Sequence, residues 1–554
     1  MNQRLIIAMI LAILVLFLYQ GLVDQKTKKK VPSKEGAKVE QQVEERRFEP
    51  KEEVAKAVTR PRLPLKKVSC QDVVVDTPLY TATFTTYGGR LKSWKLKGYK
   101  DRVPMHPLGR YVQNLVRGVL GRKKVEKTPA KPVDIVNTTA LDELPLGIRF
   151  RRGGIGYDEG IPFVSSSKGI KLRHEGEEGV LTLHWRSPAG EQIEKRFKFY
   201  AGSYRLDMEV VVSNSVNPGL VKDTLELEWI GKVEKKKGYY GFFGPIYYTD
   251  GGLEKIKPKK IKGEGKAVKE MEWFAYNEDY FISLIYPSIK GTRLILSRVP
   301  EDVIHNVLLT PMDIRPGEKG MVSYTLFLGP KLSHLLSQIA PTAKKAVDYG
   351  WFSIIAVPIL KILSFTNKFT GNYGLDIIIL ALFLKILFTP LTHKSQESMK
   401  EMQKLQPEIK KLQQKYKNDK QRLNKEIMEM YKRRKVNPFS GCFPMLLQLP
   451  VFFALYRAFL NSIELRHSPF IWWIRDLADK DPTYIAPLLM GGTMYLQQKM
   501  TTAPTADPAQ SKMMSLMPIF FTFIFLNFPS GLVLYWLVTN VLTIGHQFYI
   551  NRKK

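Results

Sequence analysis

A lysine lies inside the most apolar stretch of the second half of the chain. Residues 377–384 are all apolar, and Lys385, three more apolar residues and Pro390 follow. At about 1.5 Å per residue, a helix over residues 374–392 would be about 28 Å long, close to the thickness of a bilayer core, about 30 Å. A charge there is costly and normally faces protein or water. We expect Lys385 to line a polar cavity; the alternative is that its stem carries the ammonium to the membrane surface.

Apolar runs predict one membrane-spanning helix at the start of the chain and five near its end. Residues 1–23 lack the small-residue cleavage site of a signal peptide, so we interpret them as an uncleaved anchor. The membrane core, residues 371–554, is expected to span at residues 374–392, 442–463, 484–498, 514–528 and 532–549. The third and fourth of these apolar runs are short, and short spans thin the bilayer around them; the alternative is that their helices extend into the polar flanks.

The region between the anchor and the membrane core has three different patterns. Residues 24–68 are rich in Lys, Glu and Pro, which predicts a disordered charged linker. Residues 69–330 alternate apolar and polar side chains, and this alternation predicts an antiparallel β-sandwich. Residues 331–370 are expected to form connecting and interfacial amphipathic helices, broken at Pro358, with a membrane-spanning helix over residues 351–365 as the alternative.

Basic residues set the expected orientation in the membrane. The chain has a formal net charge of +33, and residues 393–435 hold fourteen Lys/Arg against six Asp/Glu. Apolar residues recur there every three or four positions, which predicts a hairpin of two amphipathic helices that is too basic to span. Such segments stay in the cytoplasm, so six spans would leave both termini inside and the β-domain outside.

Several classes of function are excluded by missing motifs. Cys70 and Cys442 are the only cysteines and lie far apart, which excludes a disulfide scaffold and a paired-cysteine metal site. The sequence has no phosphate-binding GxxxxGK[ST], HExxH or GxSxG motif. No chain of acidic and histidine residues suited to proton relay runs through the expected spans. We therefore expect neither an enzyme nor a cofactor.

Short motifs in the last 200 residues indicate a family. They are VDYGW at 347–351, GNYG at 371–374, LQP at 405–407, VNP at 436–438, GCFP at 441–444, QLP at 448–450, ALY at 454–456 and FPSGL at 528–532 before Tyr535. In this order and spacing, the region resembles the YidC/Oxa/Alb family of membrane-protein insertases. The anchor and β-domain resemble its Gram-negative form more loosely.

The resemblance implies a multi-domain membrane protein. Its expected parts are an N-terminal anchor helix, a periplasmic antiparallel β-supersandwich similar to mutarotase folds, and a five-helix membrane core with a cytoplasmic helical hairpin. It also implies a hydrophilic groove that binds segments of substrate proteins. Lys385 occupies the position of the family's groove arginine, which keeps the charge and loses the planar guanidinium fork. The groove residues expected here are Lys385, Gln448, Pro450, Thr522, Tyr535, Trp536 and Asn540.

The family also implies partners and a location. These are nascent membrane proteins, the Sec translocon with its accessory subunits, the ribosome with signal-recognition components, and the phospholipid bilayer of the bacterial inner membrane; no specific nucleic acid is expected. The candidate ribosome or lipid contacts are Lys410, Lys411, Lys415, Lys432, Arg433, Arg434, Arg552, Lys553 and Lys554. For the hairpin, a solvated face beside anionic lipid is the alternative.

Two other functions stay open at this point. One is a solute transporter with a polar site at the midplane of the membrane. The other is a periplasmic carbohydrate- or peptide-binding module on a membrane anchor, in which His174 and His184 with Glu178 or Asp207 would be an acid/base pair. Aromatic residues between positions 239 and 274 would line a peptide groove or form the core of the sandwich.

Overall fold

The structure, a computed structural model, describes residues 70–126, 128–151, 161–187, 191–213, 221–233, 242–261, 265–268, 270–298, 302–434, 436, 443–501 and 508–552. The expected anchor and linker, residues 1–23 and 24–68, lie outside these ranges. The described residues form two compact units. One unit contains residues 404–436, and the other contains the rest.

The strands follow one another from residue 72 to residue 330. They are β1 (Asp72–Asp76), β2 (Tyr80–Thr85), β3 (Arg90–Lys100), β4 (Pro132–Asp134), β5 (Gly147–Phe150), β6 (Val164–Ser165), β7 (Gly169–Lys171), β8 (Glu178–Arg186), β9 (Gln192–Tyr200), β10 (Arg205–Ser213), β11 (Val221–Lys232), β12 (Gly244–Thr249), β13 (Gly252–Lys255), β14 (Lys266–Val268), β15 (Trp273–Asn277), β16 (Phe281–Pro287), β17 (Arg293–Ser297), β18 (Val303–Ile314) and β19 (Lys319–Pro330).

Three sheets form this β-rich domain, as the alternating pattern predicted. The largest has the order β13-β12-β15-β16-β19-β10-β9-β8-β6, and the smaller two have the orders β4-β3-β2-β1-β7 and β14-β17-β18-β11-β5. The alternation in β10 is real, because Leu206, Met208 and Val210 are fully buried. One pairing departs from the antiparallel prediction: β1 and β7 run parallel.

Helices fill most of the chain beyond β19. The helices are α1 (Pro107–Val119), which lies between β3 and β4, then α2 (Ser333–Ser337), α3 (Ser353–Thr370), α4 (Tyr373–Lys404), α5 (Gln406–Lys415), α6 (Lys420–Arg433), α7 (Phe443–Asn461), α8 (Ile485–Thr501), α9 (Pro508–Phe525) and α10 (Ser530–Arg552). The prediction of a helical C-terminal region is therefore confirmed.

Several helix boundaries differ from those expected. Helix α3 continues through Pro358, so the predicted break there was wrong. Helix α4 continues through Pro390 and takes in the first part of the expected hairpin. Helices α8 and α9 have 17 and 18 residues and extend beyond their apolar runs into polar flanks. Within the described ranges, Gly350–Thr370 and Tyr373–Met402 are the two helical stretches long and apolar enough to cross a membrane.

One apolar core joins α3, α4 and α7 to α10. Its fully buried members include Ala356 on α3, Leu380 on α4, Ala454 on α7 and Met490 on α8. Exposed apolar side chains lie on the outside of the same helices, for example Ile386 at 72% exposure. An apolar interior together with an apolar exterior is typical of helices surrounded by lipid.

The loop of residues 462–484, between α7 and α8, holds the β-domain against these helices. The guanidinium of Arg466 lies 5.4 Å from the ring centroid of Tyr280 and 5.3 Å from that of Phe281. Its Nη2 also donates a hydrogen bond to the carbonyl of Lys100 at 2.6 Å. On α1, the amide of Gln113 donates to the carbonyl of Pro482 at 3.0 Å. These contacts position the β-domain on this loop.

Candidate substrate groove

Three side chains on α10 form the middle of a polar row. Tyr535, Thr539 and Thr543 are spaced four residues apart, so they lie on one face of the helix. The hydroxyl of Thr539 donates to the carbonyl of Tyr535 at 2.8 Å, and that of Thr543 donates to the carbonyl of Thr539 at 2.7 Å. Each threonine hydroxyl thereby has an acceptor in an otherwise apolar helix, and its oxygen can still accept a hydrogen bond.

Two other helices supply the ends of the row. From α4, the ammonium of Lys385 donates to the hydroxyl of Thr543 at 2.9 Å. From α7, the amide of Gln448 donates to the phenol oxygen of Tyr535 at 2.6 Å. We call Lys385, Thr543, Thr539, Tyr535 and Gln448 the polar row. Its part along α10 runs from Tyr535 to Thr543, and these eight residue steps correspond to about 12 Å.

The charge of Lys385 has no acidic partner within the part of the chain that the structure describes. Its side chain is half-buried and contacts α10. This contact turns the ammonium toward α10, and the cavity that Lys385 is expected to line stays a prediction. A buried or half-buried cation without a counter-ion attracts carboxylates strongly, because the surrounding dielectric is low. Its role toward a substrate stays a prediction.

The other expected groove residues have structural partners. The buried Asn540 donates to the carbonyl of Met490 at 3.4 Å and to the hydroxyl of Thr493 at 3.3 Å, and so joins α10 to α8. The hydroxyl of Thr522 donates to the carbonyl of Pro518 on its own helix at 2.7 Å. A Cβ atom on Gly491 would overlap that hydroxyl, so α8 and α9 are in close contact there.

The remaining two expected residues lie apart from the polar row. Trp536 packs its ring against Phe452 and Phe525, with both centroid distances 5.3 Å. Pro450 is exposed on α7. Of the seven expected groove residues, the structure therefore places Lys385, Gln448 and Tyr535 in the polar row, where Lys385 bonds to Thr543 and Gln448 bonds to Tyr535.

Sequence reasoning did not assign Thr539 and Thr543 to the groove. The available signal was their spacing of four and eight residues from Tyr535 on a helix that is otherwise apolar. At the Lys385 end of the row, the rings of His393 and His546 are stacked with centroids 5.6 Å apart. Polar groups thus continue beyond Lys385 toward the ends of α4 and α10.

The basic hairpin forms the separate unit of residues 404–436. Its apolar positions, such as Ile409 and Ile427, are buried. Arg434 donates to Glu408 at 2.8 Å, and Arg433 lies 4.0 Å from Glu429. The hairpin lysines expected to contact ribosome or lipid are exposed and have no ion pair with a described carboxylate; they are Lys410, Lys411, Lys415 and Lys432.

The end of the chain contributes one further described cation. Arg552 is exposed, and its guanidinium lies 5.6 Å from the ring centroid of Phe548. Lys553 and Lys554 lie outside the described residues. The contact between Arg552 and Phe548 is within one helix, so the cation stays available at the surface.

The histidines and carboxylates considered for catalysis in the β-domain do not form a site. His174 is exposed, and His184 lies 3.8 Å from Glu194 instead of Glu178 or Asp207. Asp207 accepts hydrogen bonds from Tyr200, Arg205 and Thr325 in the sheet. Trp273 and Phe274 are fully buried, which favours the core interpretation of the aromatic residues; positions 239 and 240 are not described. The described residues contain no cluster of three or more metal-ligating side chains.

Comparisons with known proteins cover nearly all of the chain. The profile of the 60Kd inner membrane protein family matches residues 365–554, and the profile of the YidC periplasmic domain matches residues 120–362. The membrane protein insertase YidC of Syntrophus aciditrophicus (strain SB) is 41% identical over 488 residues, which are 87% of this chain and 85% of that protein. That of Geobacter metallireducens (strain ATCC 53774 / DSM 7210 / GS-15) is 38% identical over 561 residues, 100% of this chain and 98% of that protein. A crystal structure of active YidC insertase with the first transmembrane domain resolved covers 87% of this chain and 93% of its own at 17% identity, with a TM-score of 0.39.

Proposed function

The chain belongs to the YidC family of membrane protein insertases, and from this premise we propose that its polar row receives the hydrophilic segments of the proteins it inserts. As a member of this family it is an insertase of the inner membrane rather than an enzyme, and its substrates are nascent membrane proteins. The observation that carries the proposal is the half-buried Lys385 at one end of the row, without an acidic partner among the described residues.

The row lowers the cost of bringing a polar segment into the membrane. Threonine, phenol and amide groups offer hydrogen bonds that hydrocarbon cannot offer, and an unsatisfied polar group in hydrocarbon costs several kcal/mol. Lys385 attracts an acidic tail into the row. The apolar segment of the substrate then moves into lipid beside the helices, and its burial together with the membrane potential acting on the tail drives the transfer.

The proposed architecture follows the charge distribution. Five helices, α4 and α7 to α10, would span the membrane and form the core, and the N-terminal segment would supply a sixth span. Both termini and the hairpin of α5 and α6 would lie in the cytoplasm, and the β-domain, a supersandwich, in the periplasm. The exposed hairpin lysines and Arg552 would contact ribosomes, signal-recognition components or anionic lipid, and the core would also work beside the Sec translocon.

Insertion by the purified full-length protein in vesicles tests the role of Lys385. Substrates are single-span proteins with an acidic or a neutral tail, and insertion is scored by protection of the tail from protease. We expect Lys385→Ala to slow insertion of the acidic-tailed substrate most, Lys385→Glu to slow it further, and Lys385→Arg to retain it.

The matched control is Lys394→Ala, which removes an exposed lysine of the same helix. It should insert both substrates at the rate of the unmodified protein. If Lys385→Ala and Lys394→Ala behave alike, Lys385 has no part in insertion, whereas the family assignment would stand on its own evidence.

A further inference from the structure

Helix α1 of the β-domain presents its apolar face to the outside. Along Pro107–Val119, apolar side chains recur every three or four residues. Tyr111, Leu115 and Val119 are 68%, 58% and 82% exposed. A surface helix of a water-soluble domain normally buries this face, so the orientation of α1 is the reverse of the usual one.

The polar face of α1 is occupied by contacts with the protein. Arg117 donates to the carbonyl of Lys123 at 3.1 Å, and the carbonyl oxygen of the Asn114 side chain accepts from the amide of Val125 at 2.7 Å. Gln113 binds the carbonyl of Pro482, as described above. The exposed apolar face therefore results from a specific attachment through the polar face.

The charge along α1 and the residues that follow it is mostly positive, although Asp101 and Glu126 lie at the two ends of this stretch. Residues 102–125 contain six Lys or Arg and no Asp or Glu. Arg122, Lys123 and Lys124 follow α1 directly and are exposed. An apolar helix face beside cationic side chains is the pattern that binds an anionic membrane surface, because apolar residues enter the acyl boundary while cations meet the headgroup phosphates.

The position of α1 is also suited to a membrane surface. Its Gly109 packs against Pro482, and a Cβ atom there would lie 2.9 Å from the proline Cγ. Pro482 precedes α8 by three residues, and α8 is one of the helices of the membrane core. The apolar face therefore lies near the beginning of α8, which is a spanning helix in the proposed topology.

We propose that α1 and the adjoining residues 122–124 form a lipid-binding surface that anchors the β-domain to anionic phospholipid. The proposal rests on the proposed topology, which makes α8 a span and assigns the surface to the periplasmic leaflet. This lipid-binding surface and the Pro482 contact together hold the β-domain at a fixed position beside the membrane core.

Fluorescence of a single label in the full-length protein tests this lipid-binding surface. In a Cys70→Ser, Cys442→Ser background, an environment-sensitive label is attached at Leu115→Cys or Val119→Cys, and the protein is reconstituted into vesicles. The control is Met321→Cys, since Met321 is 57% exposed on a polar face of β19. Vesicles contain phosphatidylethanolamine with phosphatidylglycerol, with or without brominated acyl chains.

We expect labels at positions 115 and 119 to shift to the blue and to lose intensity with brominated lipid, and the label at 321 to do neither. Replacing phosphatidylglycerol by phosphatidylcholine should reduce this loss of fluorescence intensity. Replacing Arg122, Lys123 and Lys124 by serine should reduce it as well. If the protein still inserts its substrate but the labels at positions 115 and 119 show neither the blue shift nor the quenching, the proposal is overturned. Shielding that appears only with a ribosome-bound nascent chain, without quenching by lipid, would equally overturn it and assign the face to substrate.

Discussion

The contact between the β-domain and the loop of residues 462–484 can be weakened by one substitution. Arg466→Ala removes the hydrogen bond to the carbonyl of Lys100 and the stacking over Tyr280 and Phe281. A hydrogen bond from a charged donor contributes about 1.5–3 kcal/mol, and each partly exposed cation–π contact about 0.5–1 kcal/mol. Because Arg466 is half-buried, we take the lower end of each range for the hydrogen bond and the two ring contacts, which gives about 2.5 kcal/mol.

A loss of about 2.5 kcal/mol raises the population of the separated arrangement by about 70-fold. Amide hydrogen exchange, followed by mass spectrometry in detergent, measures this population in peptides around residues 99–104 and 464–484. Both should exchange faster in Arg466→Ala, whereas peptides of β10 in the interior of the sheet should not change.

The matched variant is Arg466→Lys, which keeps the charge and loses the planar group that stacks on the rings. We expect the amide exchange rates of both peptides in Arg466→Lys to lie between those of the unmodified protein and those of Arg466→Ala. Unchanged exchange at both peptides in Arg466→Ala would refute the argument that this side chain holds the β-domain on the loop.

Three further substitutions give separate tests. Burial raises the pKa of Asp476 from 3.8 to about 6, so the native state holds a proton that the unfolded state releases, and the contribution of this carboxyl to stability should fall by up to about 3 kcal/mol as the pH rises from 4 to 6. The thermal midpoint of the unmodified protein minus that of Asp476→Asn should therefore decrease from pH 4 to pH 6, and a difference that stays constant would contradict the assignment. Gly491→Ala should lower the free energy of unfolding by about 1–3 kcal/mol, and with it the thermal midpoint, because the added methyl group meets Thr522. Gly492→Ala, which has open space at its Cβ position, should leave the midpoint unchanged. Tyr535→Phe removes the acceptor for Gln448 and should slow insertion of polar-tailed substrates. An unchanged insertion rate would show that this hydrogen bond has no part in insertion.

The β-domain was predictable from local pattern because its strands are half-buried. The alternation of apolar and polar residues in β10 correctly predicts that Leu206 and Met208 are buried. The parallel pairing of β1 with β7 was not predictable, since it joins segments almost a hundred residues apart and no local pattern specifies it. Helix ends near proline were also difficult: α3 and α4 continue through Pro358 and Pro390, because tertiary packing outweighs the local cost of proline.

The polar row was only partly predictable for a related reason. Lys385 was identifiable, since a charge among apolar residues is conspicuous in a sequence. Thr539 and Thr543 are common residues in apolar helices and become informative only when Lys385 and Gln448 reach them from other helices. Asn540 looked equally polar, but the rotation of α10 directs it to α8 instead.

Crosslinking along α10 tests most directly whether substrate passes along the polar row. A photoreactive residue is placed at Thr539, inside the row, or at Val541, which is 51% exposed on another face of the same helix. A ribosome-stalled single-span substrate carries an acidic tail. The account predicts that Thr539 crosslinks to the tail while Val541 crosslinks to lipid or to the apolar segment. Tail crosslinks of equal strength from both positions, or from Val541 alone, would contradict it.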